Sequence, residues 1–472
     1  MVPILHGLAA GVLFIASSAV CLADTTSHSD AASIQRGAYL AKAADCTACH
    51  TAPGGLPFAG GLPIKSPVGT IYSTNITPSL SAGIGGYSEA EFDRAIRQGI
   101  RRDGANLYPA MPYTSYQLLS DADVHDLYNY FHYGVAPVNV ASHPTSLPFP
   151  MNIRMSMKVW NLLFFSGHRF TPDPHQSAEW NRGAYLVNGA AHCDTCHTPR
   201  GFLMQELSGQ TMAGSQVGSW YAPNVTSDPV SGIGSWSQQD IAHYLKTGIL
   251  LGNARAAGNM GEAVEHSFQY LTQADLEAIA TYVHTIPAVH DPAATQSRFS
   301  YGAPSIELAT LRGENPIRSF TGPSPTGAEL FSANCASCHE AFGQGSKDGY
   351  YPSLFHNSVT AEANPSNLIA TILFGVNRTT AAGQAYMPGF GGKATDPNQL
   401  DNHEIASLAN YVFAQYGRAG IVVSEDDVVM VRQGGPSSPL VLLARIGMGV
   451  GAVVVILLIL FFSFRPVRRS QA

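Results

Sequence analysis

The sequence predicts an all-α protein: three tandem helical domains of one build, followed by a C-terminal transmembrane helix. An internal repeat, a helical pattern that closes each copy, and one uncharged C-terminal run predict it. RGAYLAKAADCTACHT at 36–51 returns as RGAYLVNGAAHCDTCHT at 182–198 with one residue inserted. VGTIYSTNITPSLSAGIGGYSEAEF at 68–92 aligns with VGSWYAPNVTSDPVSGIGSWSQQDI at 217–241 without a gap. A more divergent third copy opens with GAELFSANCASCHE at 327–340. Self-similarity at a fixed period means one structural unit used repeatedly. The 472 residues suit about three domains at roughly 100–200 residues each.

Taken in chain order, residues 4–20 are mostly apolar and run into Cys21-Leu22-Ala23-Asp24. This reads as an export signal over 1–23, cleaved near Ala23. Ser18-Ala19-Val20 makes a poor lipoprotein box, so no acylation of Cys21 is expected. The first domain spans 32–142 and closes with SDADVHDLYNYFHYG at 120–134. A proline-rich linker, 143–177, leads to the second domain at 178–290, which closes with TQADLEAIATYVHTI at 272–286. A second linker, 291–322, leads to the third at 323–420, closed by DNHEIASLANYVFAQYG at 401–417. Each closing segment opens on a capping residue with an acid in the first turn, and its apolar residues recur at helical spacing. Gly37, Gly183 and Gly327 lie on the opening helices; Tyr130, Tyr282 and Tyr411 share one place on the closing ones. Such residues suit terminal helices that cross closely. A polar tether, 421–439, precedes the membrane helix at 440–464. Its uncharged run, 446–464, is about 28 Å long at 1.5 Å per residue, close to the hydrocarbon thickness. Arg445 can snorkel to the outer interface. Arg465, Arg468 and Arg469 make the tail 465–472 cytoplasmic and put the body outside the inner membrane.

Composition narrows the function. Charged residues are 12% of the chain, against about 25% in an average soluble domain, and the net charge is −7. No basic stripe marks a nucleic-acid binder. Six of the seven cysteines fall into pairs: Cys46-Thr47-Ala48-Cys49-His50, Cys193-Asp194-Thr195-Cys196-His197 and Cys335-Ala336-Ser337-Cys338-His339. A zinc ribbon needs paired Cys-x-x-Cys units within one small domain, and here each domain has one. A redox Cys-x-x-Cys does not require a histidine after it three times over. The spacing reads as covalent attachment of haem c. Two thiols on one helical turn each form a thioether with a porphyrin vinyl group, and the next residue sets its imidazole on the iron. With the six paired cysteines so used, no disulfide is expected.

A methionine thioether is the common sixth ligand of small cytochromes. Between His50 and its closing helix the only methionine is Met111; in the third copy it is Met387. The second copy offers Met204, Met212 and Met260. Met260 follows His197 by 63 residues and Met111 follows His50 by 61, so the register selects Met260. Met204 and Met212 then fill core or loop. His125, His132, His243, His266 and His356 do not recur at one place in all copies and read as surface or hydrogen-bonded. Pro352 is placed to offer its carbonyl to the His339 ring. Asn75 and Asn224 recur in register and are expected to face the haem edge or its propionates.

From about residue 32 to 430 the chain resembles the three-haem cytochrome c subunit of membrane-bound alcohol, aldehyde and gluconate dehydrogenases of Gram-negative bacteria. GAYLAKAADCTACHT, SPVGTIYSTNITP, LYPAMPY, HCDTCHTPRGF and the third CASCH carry the resemblance. It implies three class I-like cytochrome c domains with axial pairs His50/Met111, His197/Met260 and His339/Met387. It also implies a catalytic partner of quinoprotein, flavoprotein or molybdenum type, and transfer of its electrons to ubiquinone. So clear a spanning helix departs from a common family pattern, which makes an aldehyde or other dehydrogenase as good a partner as an alcohol dehydrogenase. No substrate oxidation is expected from this chain alone. A tethered carrier to a terminal oxidase is the alternative; a haem peroxidase fits less well, because three methionines stand ready to close the irons.

Overall fold

A computed structural model describes residues 25–304 and 325–464. The expected export signal with Cys21, the cytoplasmic tail and much of the second linker lie outside the described residues.

The first repeat runs α1 (Thr25–Ala43), α2 (Cys46–His50), β1 (Pro63–Ser66), β2 (Gly69–Tyr72), α3 (Glu89–Gln98), α4 (Tyr113–Tyr116) and α5 (Asp121–Asn129), which continues as a π turn to Gly134. α6 (Ser156–Phe164) stands between repeats. The second repeat has α7 (Ala178–Tyr185), extended by a π turn over Leu186–Ala190, then α8 (Asp194–His197), β3 (Ser215–Val217), β4 (Trp220–Ala222) and α9 (Gln238–Thr247). It ends with β5 (Ile249–Leu250), β6 (Ala254–Arg255), α10 (Gly258–His266) and α11 (Gln273–Val283). The third holds α12 (Gly327–Asn334), α13 (Ala336–His339), α14 (Ser358–Ala361), α15 (Ser366–Phe374), β7 (Val376–Thr380), β8 (Gly383–Met387) and α16 (Asn402–Tyr416). α17 (Glu425–Gln433) and α18 (Leu440–Ser463) come last.

The closing helices α5, α11 and α16 form where the caps and apolar spacing place them. Ser120 and Thr272 accept from the backbone N–H groups of Asp123 and Asp275. Asp401 and Glu404 make a reciprocal capping box. Each such cap stabilises a helix start by about 1 kcal/mol. The all-α expectation missed four antiparallel hairpins among the described residues, β1–β2, β3–β4, β5–β6 and β7–β8. The first linker also carries a helix of its own, α6.

In each repeat the opening helix crosses the closing one: α1 on α5, α7 on α11, α12 on α16. The expected glycines are the crossing points. A Cβ on Gly37 would lie 1.9 Å from the Asp126 carbonyl oxygen, one on Gly183 1.9 Å from that of Ala278, and one on Gly327 2.3 Å from that of Ser407. In each case the next nearest side-chain atom is the Cβ of Tyr130, Tyr282 or Tyr411. The backbones can touch only where no side chain intervenes.

The first two repeats share one apolar core, with Leu127, Phe131, Leu186 and Leu276 almost fully buried. Their junction is reciprocal. Tyr39 of α1 donates to Asp275 at 2.5 Å and accepts from the Thr272 N–H at the start of α11. Tyr185, in the same place on α7, donates to Asp123 and accepts from the Ser120 N–H at the start of α5. The third repeat has its own core, built on Phe331, Ile405, Phe413 and Tyr416 and completed by Val428 and Val431 of α17. Arginines fasten it to the second repeat. Arg255 donates to the Gly349 carbonyl, and buried Arg378 to that of Ala256. Arg298, in the second linker, donates to Asn224 and Ser231 carbonyls and pairs with Glu362 at 3.2 Å.

α18 is the one helix among the described residues long and apolar enough to cross a membrane. It has 24 residues, a mean hydropathy of 2.7 and none of its apolar length buried in the protein. At its start Arg445 donates to the Phe149 carbonyl at 2.8 Å, so its guanidinium is engaged by the first linker.

Candidate functional site

Each Cys-x-x-Cys-His sequence forms one short helical turn: α2, α8 and α13. In the second and third, the histidine N–H closes on the carbonyl of the first cysteine, at 3.0 Å for His197 and 2.9 Å for His339. Both thiols and the imidazole therefore leave the same turn.

A backbone carbonyl further along the chain fixes each ring. His50 Nδ1 lies 2.6 Å from the Thr74 carbonyl oxygen, His197 Nδ1 2.7 Å from that of Pro223, and His339 Nδ1 2.9 Å from that of Pro352. A carbonyl only accepts, so Nδ1 carries the proton and Nε2 keeps its lone pair for a metal. Pro352 does what the sequence suggested. Thr74 and Pro223 were missed, although both immediately precede the recurrent asparagine. A glycine makes the approach possible in all three repeats: Gly60, Gly214 and Gly345 donate to the carbonyls of His50, His197 and His339. Their φ angles are 72°, 97° and 68°.

Burial holds all three imidazoles below the usual histidine value, which favours the neutral, ligating form. It pushes the thiols of Cys46, Cys49, Cys193 and Cys335 up to about 12 and that of Cys196 up to about 11. Those thiols are protonated at neutral pH.

Met111 and Met260 pack, like Cys46 and Cys193, against the shared core; Met387 and Cys335 pack against the core of the third repeat. The register partners differ in local structure. Met111 sits in the turn before α4, Met260 in the first turn of α10, and Met387 ends β8. Met212 is a core residue, 1% exposed. Its N–H donates to Thr198 Oγ1 and its carbonyl accepts from Val225, as Phe58 does with Thr51 and Ile76 in the first repeat. Met204 lies in a loop with φ 65°. His125 engages Glu89, and His132 the Tyr128 carbonyl.

Asn75 and Asn224 are buried, and their side chains tie backbone segments together. Asn75 Nδ2 donates to the carbonyls of Val138 and Val140, and Asn224 Nδ2 to that of Val289. Each Oδ1 accepts from the threonine two residues on. They lash the segment beyond the closing helix to the segment that carries the histidine's acceptor.

The donor set fits a covalently held haem: two thiols and one Nε2 per turn, with a thioether on the same core. Buried donors also fit its carboxylates. Trp236 Nε1, Arg298 Nε and Arg378 Nε have no acceptor among the described residues.

Fold and motifs together define a c-type cytochrome, and the cytochrome c family matches residues 34–133 and 324–414. Similarity extends further, over most of the chain. The fructose dehydrogenase cytochrome subunit of Gluconobacter japonicus is 48% identical over 89% of this chain and 88% of its own. The cytochrome c subunit of an alcohol dehydrogenase (quinone) from Gluconacetobacter polyoxogenes is 39% identical over 90% of both chains. That of a gluconate 2-dehydrogenase from Pantoea cypripedii is 36% identical over 85% of this chain and 89% of its own. The chain belongs to this family of dehydrogenase cytochrome c subunits.

Proposed function

We propose that the chain is the electron-transfer subunit of a membrane-bound, periplasmic dehydrogenase complex, taking electrons from the catalytic subunit and delivering them to ubiquinone. The repeated, carbonyl-anchored histidine beside two cysteines is the observation that carries this reading. Three class I-like domains, 32–142, 178–290 and 323–420, would each hold one haem c. Cys46 and Cys49, Cys193 and Cys196, and Cys335 and Cys338 would form the thioethers. His50, His197 and His339, with Met111, Met260 and Met387, would ligate the irons. A bound haem supplies reversible one-electron exchange at its iron. The chain's own residues hold the imidazoles in one tautomer and keep the sites apolar, two levers on the potential.

The catalytic partner, a quinoprotein, flavoprotein or molybdenum subunit, acts on an alcohol, sugar or sugar acid, as the names of the relatives suggest. α18 anchors the complex in the inner membrane, with the three domains in the periplasm. Quantification of covalently bound haem per chain tests the reading: three are expected, and two after Cys46→Ala with Cys49→Ala or Cys335→Ala with Cys338→Ala. The purified complex should reduce ubiquinone when given substrate. Substrate-driven quinone reduction by this chain without a catalytic subunit would overturn the assignment of roles.

A further inference from the structure

We propose that α6, with the loop at Phe202, is a second membrane contact: an apolar stripe that lies in the outer headgroup–acyl boundary beside the spanning helix. This rests on the reading of α18 as spanning. Helix α6 is amphipathic the wrong way round for a helix that only bridges two repeats. One face is held by the protein: Trp160 Nε1 donates to the Leu203 carbonyl at 2.9 Å, and Asn161 accepts from the Tyr113 hydroxyl at 2.7 Å. The opposite face is apolar and bare. Met155 is 62% exposed, Val159 62%, Leu162 84% and Leu163 61%. These positions recur at the spacing of one helical face. Phe202, 59% exposed, adds an aromatic ring beside the Leu203 carbonyl that anchors Trp160.

Three observations commit the stripe to lipid. First, it is continuous with the membrane anchor. Arg445 stands at the entry of the uncharged run of α18 and is bonded to the Phe149 carbonyl, seven residues before α6 begins. Phe149 therefore sits at the level of the outer interface, and it is itself half exposed. Second, no Asp or Glu occurs from residue 127 to 172, whereas Arg154, Lys158 and Arg169 do. Asp121 offsets Arg169, and Arg154 and Lys158 are the cations left to attract an anionic lipid surface. Third, an interfacial helix carries residues such as leucine on its apolar face and basic charge on its polar side, and α6 has Leu162 and Leu163 on the bare face with Lys158 as its basic residue.

The test uses the full holoprotein in vesicles of phosphatidylethanolamine and phosphatidylglycerol, with a nitroxide on Leu162→Cys. Power saturation compares relaxation by oxygen, which concentrates in lipid, with relaxation by a water-soluble nickel chelate. The oxygen-to-nickel ratio at 162 should exceed several-fold that at Leu80→Cys, an equally exposed but isolated leucine. A nitroxide at Val455→Cys reports separately on α18. Lipid exposure at 455 with water exposure at 162 overturns the α6 proposal alone; water exposure at both overturns the spanning reading. Shielding of 162 from oxygen and nickel alike, only when the catalytic subunit is added, assigns the stripe to that subunit and overturns the lipid contact.

Discussion

A histidine that gives one ring proton to a backbone carbonyl has only its other nitrogen to offer, and His50, His197 and His339 are each so placed beside two cysteines. In the proposed ligation the methionines are then the tunable part of each site. With Met260 ligating as proposed, its replacement by alanine is expected to lower the potential of one haem and to leave the others unmoved, read by spectroelectrochemical titration. A thioether ligand raises the potential, so its loss acts in that direction. Met212→Ala is the contrasting case. It empties a fully enclosed core position and should cost about 2–5 kcal/mol of stability, seen as a lower unfolding midpoint, with no haem potential shifted. The sequence separates these two methionines only through the repeat register, since residue type is the same. Asn75 and Asn224 show the limit of that register: recurrence marks a shared role, and the role is to tie backbone, which no spacing reveals.

Among the secondary elements, the helix crossings carry the sharpest prediction. Gly183→Ala would set a Cβ against the Ala278 carbonyl oxygen, and neither backbone has room to yield. The crossing must open, at a cost of about 3 kcal/mol or more, measurable as a fall in thermal midpoint and in haem retained by the second site. Tyr39→Phe tests the other joint. It removes a hydrogen bond to a carboxylate and the acceptor for the Thr272 N–H, an expected loss of about 1.5–3 kcal/mol in denaturant unfolding. The opening and closing helices were legible in the sequence because caps, 3.6-residue spacing and paired glycines all agree. The hairpins were not, because strands as short as Ile249–Leu250 or Ser215–Val217 are too brief to show a period of two. The acceptors of His50 and His197 escaped for another reason: they are backbone atoms, and only the glycines that admit them leave a trace in side-chain identity.

For the molecule as a whole, acid acts at the joint between the first two repeats. Burial disfavours the ionised Asp275, but hydrogen bonds from Arg182 and Tyr39 outweigh it and hold the carboxyl below the usual carboxylate range. Asp126 behaves alike, its burial outweighed by Arg36 and Ser33. The folded state binds the ionised forms, so this stabilisation is complete above the ordinary carboxylate value. It is lost as pH falls through the lower folded-state values. Calorimetry should therefore find a flat midpoint near neutrality and a decline below roughly pH 4, shallower in Asp275→Asn. The third repeat is joined by guanidinium groups, to the carbonyls of Gly349 and Ala256 and to the Glu362 carboxylate.

Tyr39 on the start of α11 and Tyr185 on the start of α5 have a consequence for assembly. Contact of i with j, matched by contact of j with i, is the signature of an isologous two-fold dimer. At this joint the first two repeats pair as a pseudo-two-fold dimer within one polypeptide. Fusion makes their pairing intramolecular, so it does not depend on protein concentration.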